Sequence, residues 1–305
     1  MNKPRALRPG DQIALVSPAS PFSREEFDRG LDEIRRLGYV PVYHDDVFAR
    51  SGAYLSGTAE ARAAAFMRHW LDRDVAALLA VRGGYGSVHI LPFIGDLAAR
   101  RAKLFIAYSD NTSVMSWLTS HGIPALHGPM VEGRLACGTT AYDESSFCAL
   151  LQDGEGLMLL PDGLRVLRGG ETVGRLFGGT LTQLTASLGT PYAFDPPKGC
   201  ILFLEDVNER PYRLDRMLTQ LRLAGILSRA SGIVFGEMRG CDEPGGETTA
   251  RDIVAELLRD FPGPVIFGFP SGHTTGPCWT VPLGVRVRLL TGPRPGIVVE
   301  ESAVE

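Results

Sequence analysis

Apolar and polar positions along the first 120 residues follow a strand-and-helix rhythm. Ile13 to Val16 is a short β-rich run. In SREEFDRGLDEIRRLG, Phe27, Leu31 and Ile34 recur at helical spacing, with Ser23 suited to cap the helix and Gly38 to end it. YVPVY (39–43) reads as the next strand and TAEARAAAFMRHWLD (58–72) as a helix. VAALLAV (75–81) reads as a strand ending in RGGYG, and a helix is expected from about Ser87. KLFIAY then runs to a turn at Ser109, with a helix beginning near Thr112. Strands separated by single helices predict right-handed crossovers and a doubly wound, mostly parallel α/β sheet. Ligands of such sheets gather at the carboxyl ends of the strands, where RGGYG and YSDN both lie.

From QDGEGLMLLPDG to VLRGGETVGRLFGG (152–179) the chain turns Gly-rich and loses helical periodicity. The expected organisation is an N-terminal domain over 1–152, a Gly-rich linker or domain boundary over 153–179 and a C-terminal α/β domain over 180–305. That second domain begins with a helix near TLTQLTASLG and the strong strand CILFLE (200–205). The helix YRLDRMLTQLRLAGIL, the strand GIVFGE, the helix TTARDIVAELLRDF and the strand PVIFGF follow, and VRVRLL and GIVVEE close the chain as a pair.

Length and charge narrow the function classes. A chain of 305 residues, 44% apolar and 22% charged, can bury a sizeable core in two modest domains or one large one. Its 31 Lys and Arg against 35 Asp and Glu give a net charge of -4, without the basic footprint of a nucleic-acid binder, so a small or peptidic ligand is expected. No apolar run reaches transmembrane or signal-peptide length, which predicts a soluble cytoplasmic protein without a membrane partner. Cys137, Cys148, Cys200, Cys241 and Cys278 are odd in number and contain no CxxC pair, so reduced structural thiols are expected. No H-E-x-x-H occurs, and no metal or other cofactor is expected.

Ser109 follows an apolar strand and precedes a helix, a layout that can present a nucleophilic hydroxyl beside the first amides of that helix. The flanking glycines of G-x-S-x-G are missing, and a simple helix cap explains the same residues. A serine needs a base. His273, in the loop FGFPSGHT, and His127, in ALHGPM, both qualify, whereas His69 and His121 read as helix residues. Glu205, ending CILFLE, could orient the imidazole, as could Asp206 or Glu209. VRGGYG (81–86) fits no phosphate-loop pattern, but Gly83 and Gly84 could bring backbone amides close to a substrate carbonyl.

ALVSPAS, VRGGYGS, AYSDNTSV, HGPM, GRLFGGTLTQLTASLGTPY, LFLEDVNERPYRLDRMLTQL and GFPSGHT, in this order, resemble the LD-carboxypeptidases. That serine peptidase family includes muramoyltetrapeptide carboxypeptidases and microcin-immunity peptidases. The resemblance implies a triad of Ser109, His273 and Glu205, with an oxyanion hole from the backbone amides of Asp110 and of Gly84 or its neighbour in the Gly-rich turn. It further implies an N-terminal domain with a nucleophile turn like that of class I glutamine amidotransferases, and a C-terminal α/β domain supplying Glu205 and His273 across the interface. Gly83, Tyr85 and Arg82 are the expected substrate contacts, and Arg82, Arg134 and Arg213 the candidates for the terminal carboxylate. Many relatives carry Gly where this chain has Ala107, a substitution expected to be tolerated unless that position needs a positive φ.

The expected activity is release of terminal D-alanine from a cytoplasmic murein tetrapeptide, in peptidoglycan recycling, by a homodimer. The stretch EDVNERPYRLDR is closer to this branch than to the alternative, a microcin-type peptidyl-nucleotide or acyl-sulfamoyl adenylate substrate. A non-catalytic small-ligand-binding protein is the alternative of another class.

Overall fold

The computed structural model describes residues 2–95, 97 and 100–305. Its first half contains β1 (Gln12–Val16), α1 (Arg24–Arg36), β2 (Val40–Val42), α2 (Ala59–Leu71), β3 (Val75–Ala80), β4 (Leu104–Ala107), α3 (Thr112–Ser120), β5 (Ala125–His127) and α4 (Glu144–Gln152). Then come β6 (Met158–Leu159), β7 (Arg165–Arg168), β8 (Glu171–Thr180), α5 (Leu181–Ala186), β9 (Cys200–Glu205), α6 (Pro211–Leu223) and β10 (Ala230–Gly236). The chain finishes with α7 (Ala250–Leu257), β11 (Val265–Phe269), β12 (Val281–Leu283), β13 (Arg286–Leu290) and β14 (Gly296–Val299).

Local chemistry accounts for the helices the pattern predicts. Ser23 caps α1 by accepting the Glu26 N–H, and the helix buries Phe27, Leu31 and Ile34 before Gly38 turns the chain at φ +88°. Thr249 and Asp252 form a reciprocal capping box at the start of α7. The helix expected from Ser87 is instead a 3₁₀ segment, Ser87–Phe93, with Pro92 inside it removing a backbone donor.

Two sheets result, in a mixed α/β fold. The first has the order β12-β5-β4-β3-β1-β2, with all neighbours parallel except β12, which runs antiparallel to β5. The second has the order β6-β14-β13-β8-β9-β10-β11-β7, with a parallel centre from β8 to β11 and antiparallel flanks.

The segment 153–179 is not a linker, because it supplies β6, β7 and most of β8. Strand β8 pairs through its first half with β13 and through Leu176–Thr180 with β9. Its glycines permit backbone contact: a Cβ on Gly178, at φ +145°, would stand 1.8 Å from the Phe203 carbonyl oxygen.

Strand β12 crosses the expected boundary in the other direction. Phe269 ends β11 in the second sheet and Val281 begins β12 in the first, so the loop carrying His273 bridges the two. One continuous apolar cluster joins them as well, containing Ile106 and Leu126 of the first sheet with Ile201, Phe203 and Phe269 of the second. Burial of such side chains is worth about 1.5–3 kcal/mol each, which opposes sliding of one sheet against the other.

Candidate active site

The serine turn at the carboxyl end of the first sheet has an uncommon backbone conformation. Ser109 has φ +65°, one of three non-glycine residues with positive φ among the described residues. That conformation is costly for a side chain with Cβ and recurs where a nucleophile must stand clear of its strand. Ala107, by contrast, is a buried strand residue in β4, so its methyl group meets no left-handed backbone.

The Gly-rich loop packs onto this turn. A Cβ on Gly83 would lie 2.8 Å from Ser109 Cβ and 2.9 Å from its Oγ. The amides of Gly83 and Gly84 donate to no described residue. The Asp110 carboxylate, buried beneath the loop, accepts the Gly86 N–H at 3.1 Å and the Ser87 N–H at 2.7 Å. Ser87 Oγ donates to the Asp110 carbonyl at 2.6 Å, and Asn111 Nδ2 donates to the Arg82 carbonyl at 3.1 Å. From the other side, Ser20 Oγ accepts the Tyr85 N–H at 3.0 Å. The residues after Ser109 therefore fasten the loop as well as starting the helix.

Glu205 and His273 meet directly. Thr180 faces Glu205 in the β8–β9 register, and its hydroxyl donates to Oε1. Oε2 accepts both the backbone N–H of His273 at 3.0 Å and its Nδ1–H at 2.8 Å. Burial opposes ionisation of Glu205, but the His273 charge and the His273 hydrogen bond outweigh it and hold the carboxyl below its ordinary range. Burial likewise opposes the imidazolium of His273, yet the Glu205 charge and hydrogen bond raise its pKa overall. The His273 ring stands edge-on to Tyr108, the residue before Ser109, at 5.2 Å between centroids. Ser109 Oγ has no hydrogen bond to a described residue, a common state for catalytic hydroxyls before substrate tightens the site.

Further residues hold the His273 loop, and the sequence pattern did not single them out for this. The Arg134 guanidinium donates to the carbonyls of Gly272 and Thr274 at 2.9 Å and of Ala141 and Gly276 at 3.2 Å. Glu237, just beyond β10, accepts the hydroxyl of Thr274 and both the amide and hydroxyl of Thr275. Both Nη atoms of Arg134 are thereby engaged with backbone carbonyls. Arg82 lies 3.0 Å from Glu132 and donates to the Pro21 carbonyl, while Arg213 pairs with Glu209 at the surface. Tyr85 is half-exposed on the loop.

His127 and Asp206 occupy the inner side. His127 has no exposed surface and faces Glu205 Oε1 at 3.9 Å, whereas His273 keeps 18% of its side chain accessible. Asp206 accepts the amide and hydroxyl of Thr182 and its neighbour Val207's amide, and burial with the adjacent Glu205 charge pushes its pKa up to about 6. Burial pushes the Cys278 thiol nearby up to about 11, which leaves it unreactive. Among the described residues no cluster of three His, Cys, Asp or Glu could hold a metal ion, and no helix is long and apolar enough to cross a membrane.

Comparison with known proteins places the chain in a family. Residues 13–128 match the LD-carboxypeptidase N-terminal domain and residues 173–289 the LD-carboxypeptidase C-terminal domain. The murein tetrapeptide carboxypeptidase of Pseudomonas aeruginosa is 31% identical over 279 residues, covering 86% of this chain and 88% of that protein. The muramoyltetrapeptide carboxypeptidase structure from Oxalobacter formigenes superposes with TM-score 0.78 at 28% identity, covering 94% and 97% of the two chains. MccF, the microcin C7 self-immunity protein of Escherichia coli, is 27% identical over 316 residues, 93% of this chain and 91% of its own. A structure of MccF with glutamyl sulfamoyl guanosine shares the fold at TM-score 0.88 and 23% identity, covering 100% of both chains.

Proposed function

We propose, for a chain that belongs to the LD-carboxypeptidase family and is on that ground a peptidase, the hydrolysis of the L,D amide bond that releases terminal D-alanine from a murein tetrapeptide. The observation that supports this most is the buried Glu205 carboxylate bonded to His273 Nδ1, beside a serine turn with positive φ. Because Glu205 occupies Nδ1, Nε2 is the ring nitrogen left for proton transfer.

In this reading Ser109 Oγ attacks the carbonyl carbon while His273 takes its proton, and the imidazolium then protonates the D-alanine nitrogen as the C–N bond breaks. Water, deprotonated by the same histidine, cleaves the acyl-enzyme and regenerates Ser109. The amides of Asp110 and Gly84 receive the developing oxyanion, with Gly83 as the alternative to Gly84; the open amides of both glycines support the assignment. Gly83 and Tyr85 line the substrate side of the loop in this reading. The likeness of the serine turn to that of class I glutamine amidotransferases, the cytoplasmic location and the homodimer belong to the same proposal.

A second reading keeps the machinery and exchanges the substrate for an aminoacyl sulfamoyl nucleoside, favoured by the fold shared with MccF over both whole chains. Turnover of L-Ala-D-Glu-mDAP-D-Ala and of glutamyl sulfamoyl adenosine, measured side by side, separates the two. The murein reading expects a kcat/KM at least about a hundredfold higher for the tetrapeptide, and the opposite ranking would replace it with the second.

A further inference from the structure

Glu205 is an almost wholly buried carboxylate whose two oxygens are treated differently. Oε2 accepts two donors from His273, at 3.0 and 2.8 Å. Oε1 accepts the Thr180 hydroxyl and faces Nε2 of His127 at 3.9 Å. His127 lies on β5 between the rings of Tyr108 and Phe203, with centroid distances of 6.0 and 4.9 Å. Its Nε2 is one of a few buried polar atoms without a hydrogen-bond partner among the described residues. The other ring nitrogen, Nδ1, lies 2.9 Å from Ser271 Oγ, which is also 3.5 Å from the His127 carbonyl.

Two neutral tautomers satisfy that contact. If Nδ1 carried the proton, Nε2 would turn a bare lone pair toward an ionised carboxylate in a dry site, which is repulsive. With Ser271 donating to Nδ1, the proton sits on Nε2 and points at the anion. We propose that His127 is a positioning residue: with Nδ1 engaged by Ser271, it turns an Nε2–H toward Oε1 of Glu205 and holds that oxygen so that Oε2 stays on His273. This rests on the serine-peptidase reading above.

The arrangement has a pH signature. A buried carboxylate that loses a facing donor becomes a stronger base and holds the His273 imidazolium more tightly, so His273 would deprotonate at higher pH. The other titratable groups around this carboxylate are Asp206, Tyr108, Cys278 and Arg134, and His127→Phe leaves each of them in the chain.

The test is 15N NMR of the histidine rings in the whole protein, together with pH profiles of D-alanine release for His127→Phe, His127→Gln and Ser271→Ala. Expected results are a proton on Nε2 of His127 throughout the active range, a fall in kcat of about tenfold or more in His127→Phe with KM changed less than about threefold, and an acid limb moved to higher pH. His127→Gln, which retains a donor near Nε2, should return the limb toward the wild type. An Nε2 without a proton, or a wild-type limb in His127→Phe, would overturn the proposal. If His127→Phe does not fold, Ser271→Ala replaces it with the same expected shift, and an unmoved limb counts equally against it. Ser109→Ala serves as the separate control: full turnover there would refute the serine reading itself, whereas the tautomer is read independently of turnover.

Discussion

Replacing Gly83 by Ala places a single methyl group against the proposed nucleophile. The new Cβ would stand 2.8 Å from Ser109 Cβ and 2.9 Å from Oγ, against 3.4 Å at the start of ordinary van der Waals contact. Relief therefore demands about 0.6 Å of movement between the loop and the serine. The loop cannot retreat freely, because Asp110 holds the amides of Gly86 and Ser87 and Asn111 holds the Arg82 carbonyl. A displacement of about 1 Å at a reacting group can cost about a hundredfold in rate, so about 0.6 Å should cost roughly ten- to fiftyfold in kcat. Folding should suffer less, since Gly83 has no positive φ and Ser109 is only partly buried. Gly84→Ala is the contrast: at φ +96° its Cβ would meet Ser20 Oγ at 2.4 Å, adding backbone strain to the clash, a loss of roughly 2–5 kcal/mol. D-alanine release, followed with a D-amino-acid oxidase couple, gives kcat, and thermal unfolding gives stability. A Gly83→Ala protein with wild-type kcat and unchanged Tm would refute the packing of this loop against the reacting hydroxyl.

Other substitutions address the remaining parts of the site. Glu205→Gln preserves volume but removes the charge that raises His273, so kcat should fall about a thousandfold and the acid limb should move to lower pH in a pH–rate profile. Arg134→Met frees four loop carbonyls and should lower stability by roughly 2–5 kcal/mol, with a loss in kcat larger than any rise in KM; a selective KM defect would instead make Arg134 a substrate ligand. Asp206, with its folded pKa raised to about 6, binds protons more readily folded than unfolded, so its contribution to stability is fully present below the ordinary aspartate pKa and is lost as pH rises through about 6. Asp206→Asn should therefore be stabilised relative to the wild type at pH 7, by up to about 3 kcal/mol, and not at pH 4; denaturant titrations at the two pH values provide the check.

Much of the first sheet was legible because its elements obey local rules. Ser23, Phe27, Leu31 and Ile34 fixed α1, and the apolar runs before RGGYG and YSDN fixed β3 and β4. Strand β8 was hidden because Gly174, Gly178 and Gly179, which read as loop, are required by close backbone and side-chain neighbours on adjacent elements. Strand β12 is three residues long with a proline, and its partner His127 lies more than 150 residues earlier, so pairing rather than pattern defines it. The same non-local pairing sets where the two candidate histidines stand. Only the β8–β9 register and the loop crossing between sheets put Thr180 and His273 on Glu205 and leave His127 buried behind it.

The most direct test of the central claim is the rate of D-alanine release from L-Ala-D-Glu-mDAP-D-Ala by the wild type and by Ser109→Ala, with circular dichroism establishing that both are folded. The nucleophile assignment predicts a fall in kcat of about 10⁴-fold or more with little change in Tm. Turnover by folded Ser109→Ala within about tenfold of the wild type would contradict it.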